Sequence, residues 1–212
     1  MFCTITPTRG DRPEFDEFCR WQLSRMRVKP DQSYFIDYKP KSTLKDLIER
    51  IQTGIKLARY DGFDRVYIIE NDDWYSDNYF NGHEYHPGNF VGFSETIYYN
   101  IFTRRWKKTE HKHSSLFCTG FDISALDSFL WPPKNEPFLD VSLWNYARHK
   151  ERTLKRLSDM PECIGIKHGI GLCGGKGHKM NLANSDKDTE WLKDRIDSTS
   201  FDFYKMIARG KK

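Results

Sequence analysis

The run Val66-Tyr67-Ile68-Ile69 ends abruptly in Glu70-Asn71-Asp72-Asp73, and this junction restricts the architecture more than any other stretch. A short apolar run rich in Val and Ile describes a strand covered on both faces, the situation of a central parallel strand. Three carboxylates at its end then fall where open α/β sheets bind ligands, at the carboxyl ends of their strands. Like charges so close repel, so the cluster is costly unless a cation or solvent relieves it. Two readings follow. One is a hard divalent metal bridging these oxygens to a phosphate-bearing substrate; the other is a solvated acidic turn.

The residues before this strand have matching periodicity. Phe2 to Thr6 predicts a first strand, and the turn-rich Pro7 to Pro13 leads into a helix in which Phe15, Phe18, Trp21, Leu23 and Met26 recur at helical spacing. Ser33 to Tyr38 predicts a second strand. Ser42-Thr43 then caps a helix whose apolar side is Leu44, Leu47, Ile48, Ile51, Ile55 and Leu57-Ala58, closed by Gly62. The order β-α-β-α-β calls for a parallel sheet with helices packed on it.

After Asp73 the pattern changes. Gly82 to Gly92 reads as a loop, Phe93 to Arg105 as antiparallel strand material, and Phe117 to Phe121 as a further strand. Ile123 to Phe129 suggests a short helix stopped by Trp131-Pro132-Pro133. Phe138 to Arg156 suggests a longer helix or helix pair, and Ile164 to His168 a last strand. The glycine-rich segment Gly169 to His178 and one helix around Asp188 to Ile196 complete the chain. No repeat or linker divides it. We therefore expect one domain over 1–212, with a nucleotide-sugar-binding half at 1–80, an acceptor-side half at 81–180 and a tail at 181–212.

Composition excludes several classes. Aromatic content of 15% beside 30% charged residues suits a folded α/β protein with an aromatic-lined cleft rather than a disordered chain. No apolar run approaches the roughly 18 residues of a membrane span, so no membrane insertion is expected. The five cysteines show no paired metal spacing and read as reduced thiols of a cytoplasmic protein. Net charge is +4, with basic clusters at Arg104 to Lys108, Arg148 to Arg156 and Lys167 to Lys179. They suit either solvated faces or a polyanionic partner. His83, His86, His111, His113 and Cys118 fit no standard zinc spacing and are placed in loops on the acceptor side.

The order of these parts resembles the GT-A fold nucleotide-sugar glycosyltransferases, particularly the inverting family-two type. Ile5-Thr6-Pro7-Thr8-Arg9-Gly10-Asp11-Arg12 is similar to that family's opening strand and loop. Glu70-Asn71-Asp72-Asp73-Trp74-Tyr75 resembles its Asp-x-Asp segment, Leu139-Asp140-Val141-Ser142-Leu143-Trp144 its base-bearing segment, and Lys167-His168-Gly169 its carboxyl-terminal metal-histidine region. The sequence departs from the family in having Glu70 for the first Asp and one carboxylate, Asp140, before the later helix. The second strand also lacks the usual acidic, Gly and Ser run. The resemblance implies a GT-A-like (Rossmann-like) α/β fold: a mostly parallel central sheet flanked by helices, with an antiparallel acceptor-side portion.

It also implies a metal-dependent transfer from a nucleoside-diphosphate sugar. Asp72 is then the metal ligand, with Glu70 and Asp73 reaching through water or ribose hydroxyls; Mg²⁺ or Mn²⁺ suits the oxygen donors, and His168 as a nitrogen ligand favours Mn²⁺. His168 is otherwise a structural residue. Asp140 is either the base that takes the acceptor's proton or a helix N-cap. Thr8, Arg12, Asp37, Glu70 and Asn71 are placed around the donor, although Arg12 is equally suited to pair a local carboxylate. Lys176 and His178 belong either to a phosphate-contacting lid or to a plain loop. The basic, aromatic-bearing loop around Trp106 directs attention to a nucleic-acid acceptor, such as a hydroxymethylated pyrimidine in bacteriophage DNA flipped out of its stack. Saccharide or protein acceptors, a nucleotidyltransferase and a non-catalytic nucleic-acid-binding protein are the competing readings.

Overall fold

The computed structural model describes residues 1–38, 45–81, 88–132, 138–169 and 183–210. Strand β1 (Phe2–Pro7), helix α1 (Pro13–Arg25), strand β2 (Gln32–Ile36), helix α2 (Lys45–Tyr60) and strand β3 (Arg65–Ile68) follow in the expected order. β1 pairs in parallel with both β2 and β3. The chain closes α2 at Gly62, whose φ of +81° is a conformation that glycine adopts without strain. The Ser42-Thr43 cap lies outside the described residues.

Strand β3 shows why its sequence carries no polar alternation. Val66 and Ile68 enter a core with Ile48, Ile51, Ile55 and Ala58 of α2, whereas Tyr67 and Ile69 enter a second core with Phe18, Cys19 and Leu23 of α1. Successive side chains of a strand point to opposite faces, and here both faces are covered by a helix and its neighbours.

Beyond the acidic turn come β4 (Trp74–Tyr75), β5 (Phe90–Phe93), β6 (Glu95–Asn100), β7 (Arg105–Glu110) and β8 (Gly120–Asp122), with 3-10 turns at Leu116–Cys118 and Ile123–Leu126. Helix α3 (Leu139–Ala147), β9 (Arg152–Lys155), β10 (Cys163–Lys167), β11 (Asn184–Ser185), α4 (Glu190–Lys193) and α5 (Ser198–Arg209) complete the order. A six-stranded sheet runs β2-β1-β3-β8-β5-β9, and a five-stranded sheet runs β11-β7-β6-β10-β4. In the first, β8 alone is reversed; β3 and β5 both pair with it antiparallel, and β9 pairs with β5 in parallel. The protein is thus α/β, with a mixed, mostly parallel sheet flanked by helices. No helix among the described residues is long and apolar enough to cross a membrane.

Three expectations about helices fail, each for a physical reason; in addition, β5 begins at Phe90 inside the expected loop, and β11 follows the strand expected to be last. The helix expected over Ile123 to Phe129 is only the 3-10 turn Ile123–Leu126, tied at its start by the Ile123 N–H to the Asp64 carbonyl and leading into a Pro-bearing stretch. The helix expected to run from Phe138 to Arg156 stops at Ala147, and Arg152–Lys155 is strand β9. Its charges mimic a solvated helix, but β9 is an edge strand, where charged side chains are tolerated and discourage pairing with other chains. Finally, the tail holds a second helix, α5. Its N-terminus is capped by the Asp197 side chain, which accepts from the Ser200 N–H at 2.9 Å, and Phe203 stacks on Phe18 of α1 at 3.9 Å between ring centroids.

The closest approach of α2 to the sheet is at Gly54, where a Cβ would lie 2.6 Å from Cγ2 of the fully buried Ile5. Helix propensity favours Gly54→Ala by roughly 1 kcal/mol, but overpacking against a stiff β-branched side chain costs about 1–3 kcal/mol. Packing wins. Gly54→Ala is expected to lower the urea midpoint, and an increase would show that the helix is free to shift outward.

Candidate active site

Four residues make the acidic turn. The Asp73 N–H donates to the Glu70 carbonyl at 3.3 Å, closing a tight turn with Asn71 and Asp72 at its tip. The chain then leaves the first sheet, and β4 pairs antiparallel with β10 of the second. The acidic turn is therefore the crossover between the sheets, and β10 brings Lys167 and His168 up beside it. Several side chains hold the crossover. Gln22 of α1, fully buried, donates to the Asp73 carbonyl at 3.0 Å and accepts from the Tyr75 N–H at 2.8 Å. The Tyr75 hydroxyl accepts from the Glu70 N–H at 2.9 Å, and the Tyr204 hydroxyl of α5 donates to the Asp72 carbonyl at 3.3 Å. Oδ1 of Asp73 accepts from the Ile166 N–H at 2.7 Å.

The sequence-predicted partners Asp72 and His168 meet. Nε2 of His168 lies 2.7 Å from Oδ2 of Asp72, and the same oxygen receives Nη1 of Arg12 at 3.1 Å. His168 is 1% exposed and its ring lies 4.8 Å from that of Phe15. Burial opposes ionisation of Asp72, but the His168 hydrogen bond and the charges of Arg12 and Lys167 outweigh it and hold this carboxyl well below its usual range. Glu70 behaves oppositely. Burial, then repulsion from Asp72, with Asp140 adding, push it up to about 7 against the pull of Lys167 and Arg12. Asp73 is also raised, by burial first and then by Asp72 and Glu70.

Other predicted residues take different places. Thr8 and Asn71 are buried, and the Asn71 amide is engaged by Thr8, Asp16 and Arg12 at 3.3, 2.6 and 3.3 Å. They brace the loop after β1 against the acidic turn. Arg12 takes its alternative role and pairs with Asp72. Asp37 is exposed at the rim, and the loop after β1 lies on its backbone; a Cβ at Gly10, whose φ is +68°, would sit 2.6 Å from the Asp37 carbonyl oxygen. Lys176, His178, His83 and His86 lie outside the described residues.

Asp140 is not an N-cap. Phe138 occupies that position without a side-chain hydrogen bond, and Asp140 falls in the first turn of α3, where its carboxylate accepts backbone N–H groups of Asp140 and Val141. Burial raises its pKa, while these bonds and His113 and His111 act against the rise. Nε2 of His113 stands 3.9 Å from Oδ2 of Asp140, and the His113 and His111 rings are 5.1 Å apart. Among the described residues, His111 and His113 form no metal-binding cluster with Cys118, which is buried and bonds to Ser114.

Residues not singled out from sequence include Asp16, Gln22, Phe15, Lys167 and Tyr204. A signal existed for three of them: Arg12, Phe15, Asp16, Cys19 and Gln22 recur at helical spacing, and a glutamine on an otherwise apolar stripe marks a buried polar clamp.

Do these groups suit a metal? One oxygen from each of Glu70, Asp72 and Asp73 lies within 4.8 Å of the others, and Oδ2 of Asp73 is buried with no hydrogen-bond partner. Buried polar atoms without partners are uncommon and call for an explanation such as an ion. Clustered carboxylate oxygens are the donor set of a hard cation, so the residues fit a divalent ion. No family model matches the chain, and no curated protein is significantly similar to it in sequence.

The raised Glu70 has a thermodynamic consequence. Its folded pKa of about 7 exceeds the ordinary 4.5, so the folded state holds this proton more tightly than the unfolded state. The stabilisation is complete below about pH 4.5 and is lost as pH rises through about 7. In metal-free protein, Glu70→Gln is expected to flatten the decline in thermal midpoint across this window, followed by circular dichroism. An unchanged decline would place the titration elsewhere.

Proposed function

We propose that the protein is a divalent-metal-dependent glycosyltransferase of the GT-A type, moving a sugar from a nucleoside diphosphate to an acceptor hydroxyl with inversion. The observation that carries this reading is the acidic crossover after β3, where one oxygen from each of Glu70, Asp72 and Asp73 lies within 4.8 Å of the others and Oδ2 of Asp73 is buried without a hydrogen-bond partner. A sheet with one reversed strand, and a second sheet entered directly through the acidic turn, support the GT-A assignment.

The chemistry follows from the residues. Glu70, Asp72 and Asp73, with His168, would hold Mg²⁺ or Mn²⁺, and the mixed oxygen and nitrogen set favours Mn²⁺. When bound, the ion neutralises the leaving diphosphate. Arg12 then exchanges its Asp72 partner for a donor phosphate, so no cation is left unpaired in the cleft. The acceptor oxygen attacks the anomeric carbon, the bond from that carbon to the phosphate oxygen breaks, and its electron pair leaves with the nucleoside diphosphate. Asp140 takes the acceptor proton. Its restrained ionisation suits a base that must gain a proton during the reaction. A nucleotidyltransferase would use the same acids to attack phosphorus instead.

A panel of nucleotide sugars with and without Mn²⁺ tests the reading. One donor is expected to raise the thermal midpoint only with metal and to be turned over with release of nucleoside diphosphate. Asp72→Asn should reduce that turnover by about 100-fold or more. Asp140→Asn should lower it by about 10²–10⁴-fold and leave the metal-dependent stabilisation intact. Release of pyrophosphate would instead identify the nucleotidyltransferase, and a site indifferent to metal and to every donor would end the proposal.

A further inference from the structure

One face of the second sheet is covered where Thr96 and Tyr98 bond to Ser115 and is open beyond that point, around Arg105 and Lys107. Tyr98 and Lys107 are cross-strand partners, as are Asn100 and Arg105, so Arg105 and Lys107 share one face of the β6–β7 hairpin. β10 extends the same face, with Gly165 beside Tyr98 and Lys167 beside Asn100. At Gly165 a Cβ would lie 2.6 Å from the Tyr98 ring, so glycine keeps this face flat. Nζ of Lys167 lies 4.8 Å over that ring. The opposite face of the hairpin is used up in packing: Trp106 stacks on Trp191 at 4.2 Å and Tyr99 donates to Asp186 at 2.8 Å.

His111 and His113 follow β7, with half-buried Thr109 between Lys107 and His111 on this face; burial, then His113 and Lys107, disfavour the protonated His111, and His113 reaches Asp140 at 3.9 Å. Arg105 is exposed and Lys107 half-buried, and neither has an ion pair among the described residues. The other basic residues of the hairpin are occupied: Lys108 pairs with Glu95 at 2.9 Å, and Arg104 donates to the Lys187 carbonyl at 2.8 Å. Beside Asp140, Phe138 is 50% exposed and Val141 37% exposed.

We infer that this face is the acceptor platform and that the acceptor is a nucleic-acid strand. Its phosphates lie along Arg105 and Lys107, and an unstacked nucleotide meets Phe138 with its hydroxyl at Asp140. Two neighbouring cations that the described residues do not neutralise suit a polyanion. An exposed aromatic ring beside Asp140 suits a base, because every base offers a face for stacking. A neutral saccharide would leave Arg105 and Lys107 without a purpose. This inference rests on the proposed transferase only for the role of Asp140; the binding face stands apart from it.

The test is fluorescence anisotropy with a short labelled single-stranded DNA, and with RNA of the same sequence, at about 50 and about 200 mM salt. Binding is expected to weaken steeply with salt. The double variant Arg105→Glu/Lys107→Glu should weaken it at least about tenfold and reduce the slope of log K against log salt by about 1.4, the loss of two phosphate contacts on a single strand. Whichever strand binds more tightly names the sugar of the acceptor. Lys56→Glu, on an exposed position of α2, controls for net charge, and an unchanged thermal midpoint confirms that the double variant is folded. Absence of binding, or equal loss in Lys56→Glu, overturns the inference and leaves the donor site untouched. Metal-dependent donor stabilisation retained by the double variant separates the two: its absence with DNA binding intact removes the transferase and leaves a nucleic-acid-binding face.

Discussion

The buried carboxylate of Asp73 is the joint on which the rest is built. One of its oxygens fastens the turn after β3 to the backbone of β10, and Gln22 fastens the same residue to α1. Losing a hydrogen bond inside the protein leaves a costly orphan. Through this joint the first sheet, the second sheet and α1 converge on one turn. Asp72 can then project from its tip with His168 on one side and Arg12 on the other. The second oxygen of Asp73, left without a partner, shows that the joint has capacity for one more bond.

Electrostatics divide the three acids into different tasks. Asp72 is kept ionised by its neighbours, whereas Glu70 and Asp73 resist ionisation because Asp72 already holds the charge. Without a cation only part of the cluster ionises easily near neutrality. That is how crowded carboxylates behave when burial adds to repulsion. The Arg12 contact restrains the cluster in the meantime: a positive group present in the resting protein lowers the repulsion without closing the cleft.

Much of this was legible in the sequence. The first three strands and two helices carried local signals that agreed with their tertiary setting, so periodicity, turn residues and the Pro13 start gave them nearly to the residue. The meeting of Asp72 with His168 was legible only by resemblance, because no local pattern predicts a contact across 96 residues. β9 was hidden because an edge strand may display the same charged surface as a helix, and its identity is decided by pairing with β5. The bracing contacts of Thr8 and Asn71 were hidden because a polar side chain that holds a turn and one that faces solvent look alike until burial is known. Asp16 carried only its helical spacing with Phe15, Cys19 and Gln22; its contact with the Asn71 amide is a tertiary fact.

The hydroxyl of Tyr204 meets the Asp72 carbonyl across a separation of 132 residues. During synthesis the acidic turn leaves the ribosome long before the helix that steadies it. The nascent chain thus passes through a stage in which the sheet order of its first half is available but the turn lacks one of its supports. Full support of the acidic turn therefore waits for the arrival of α5.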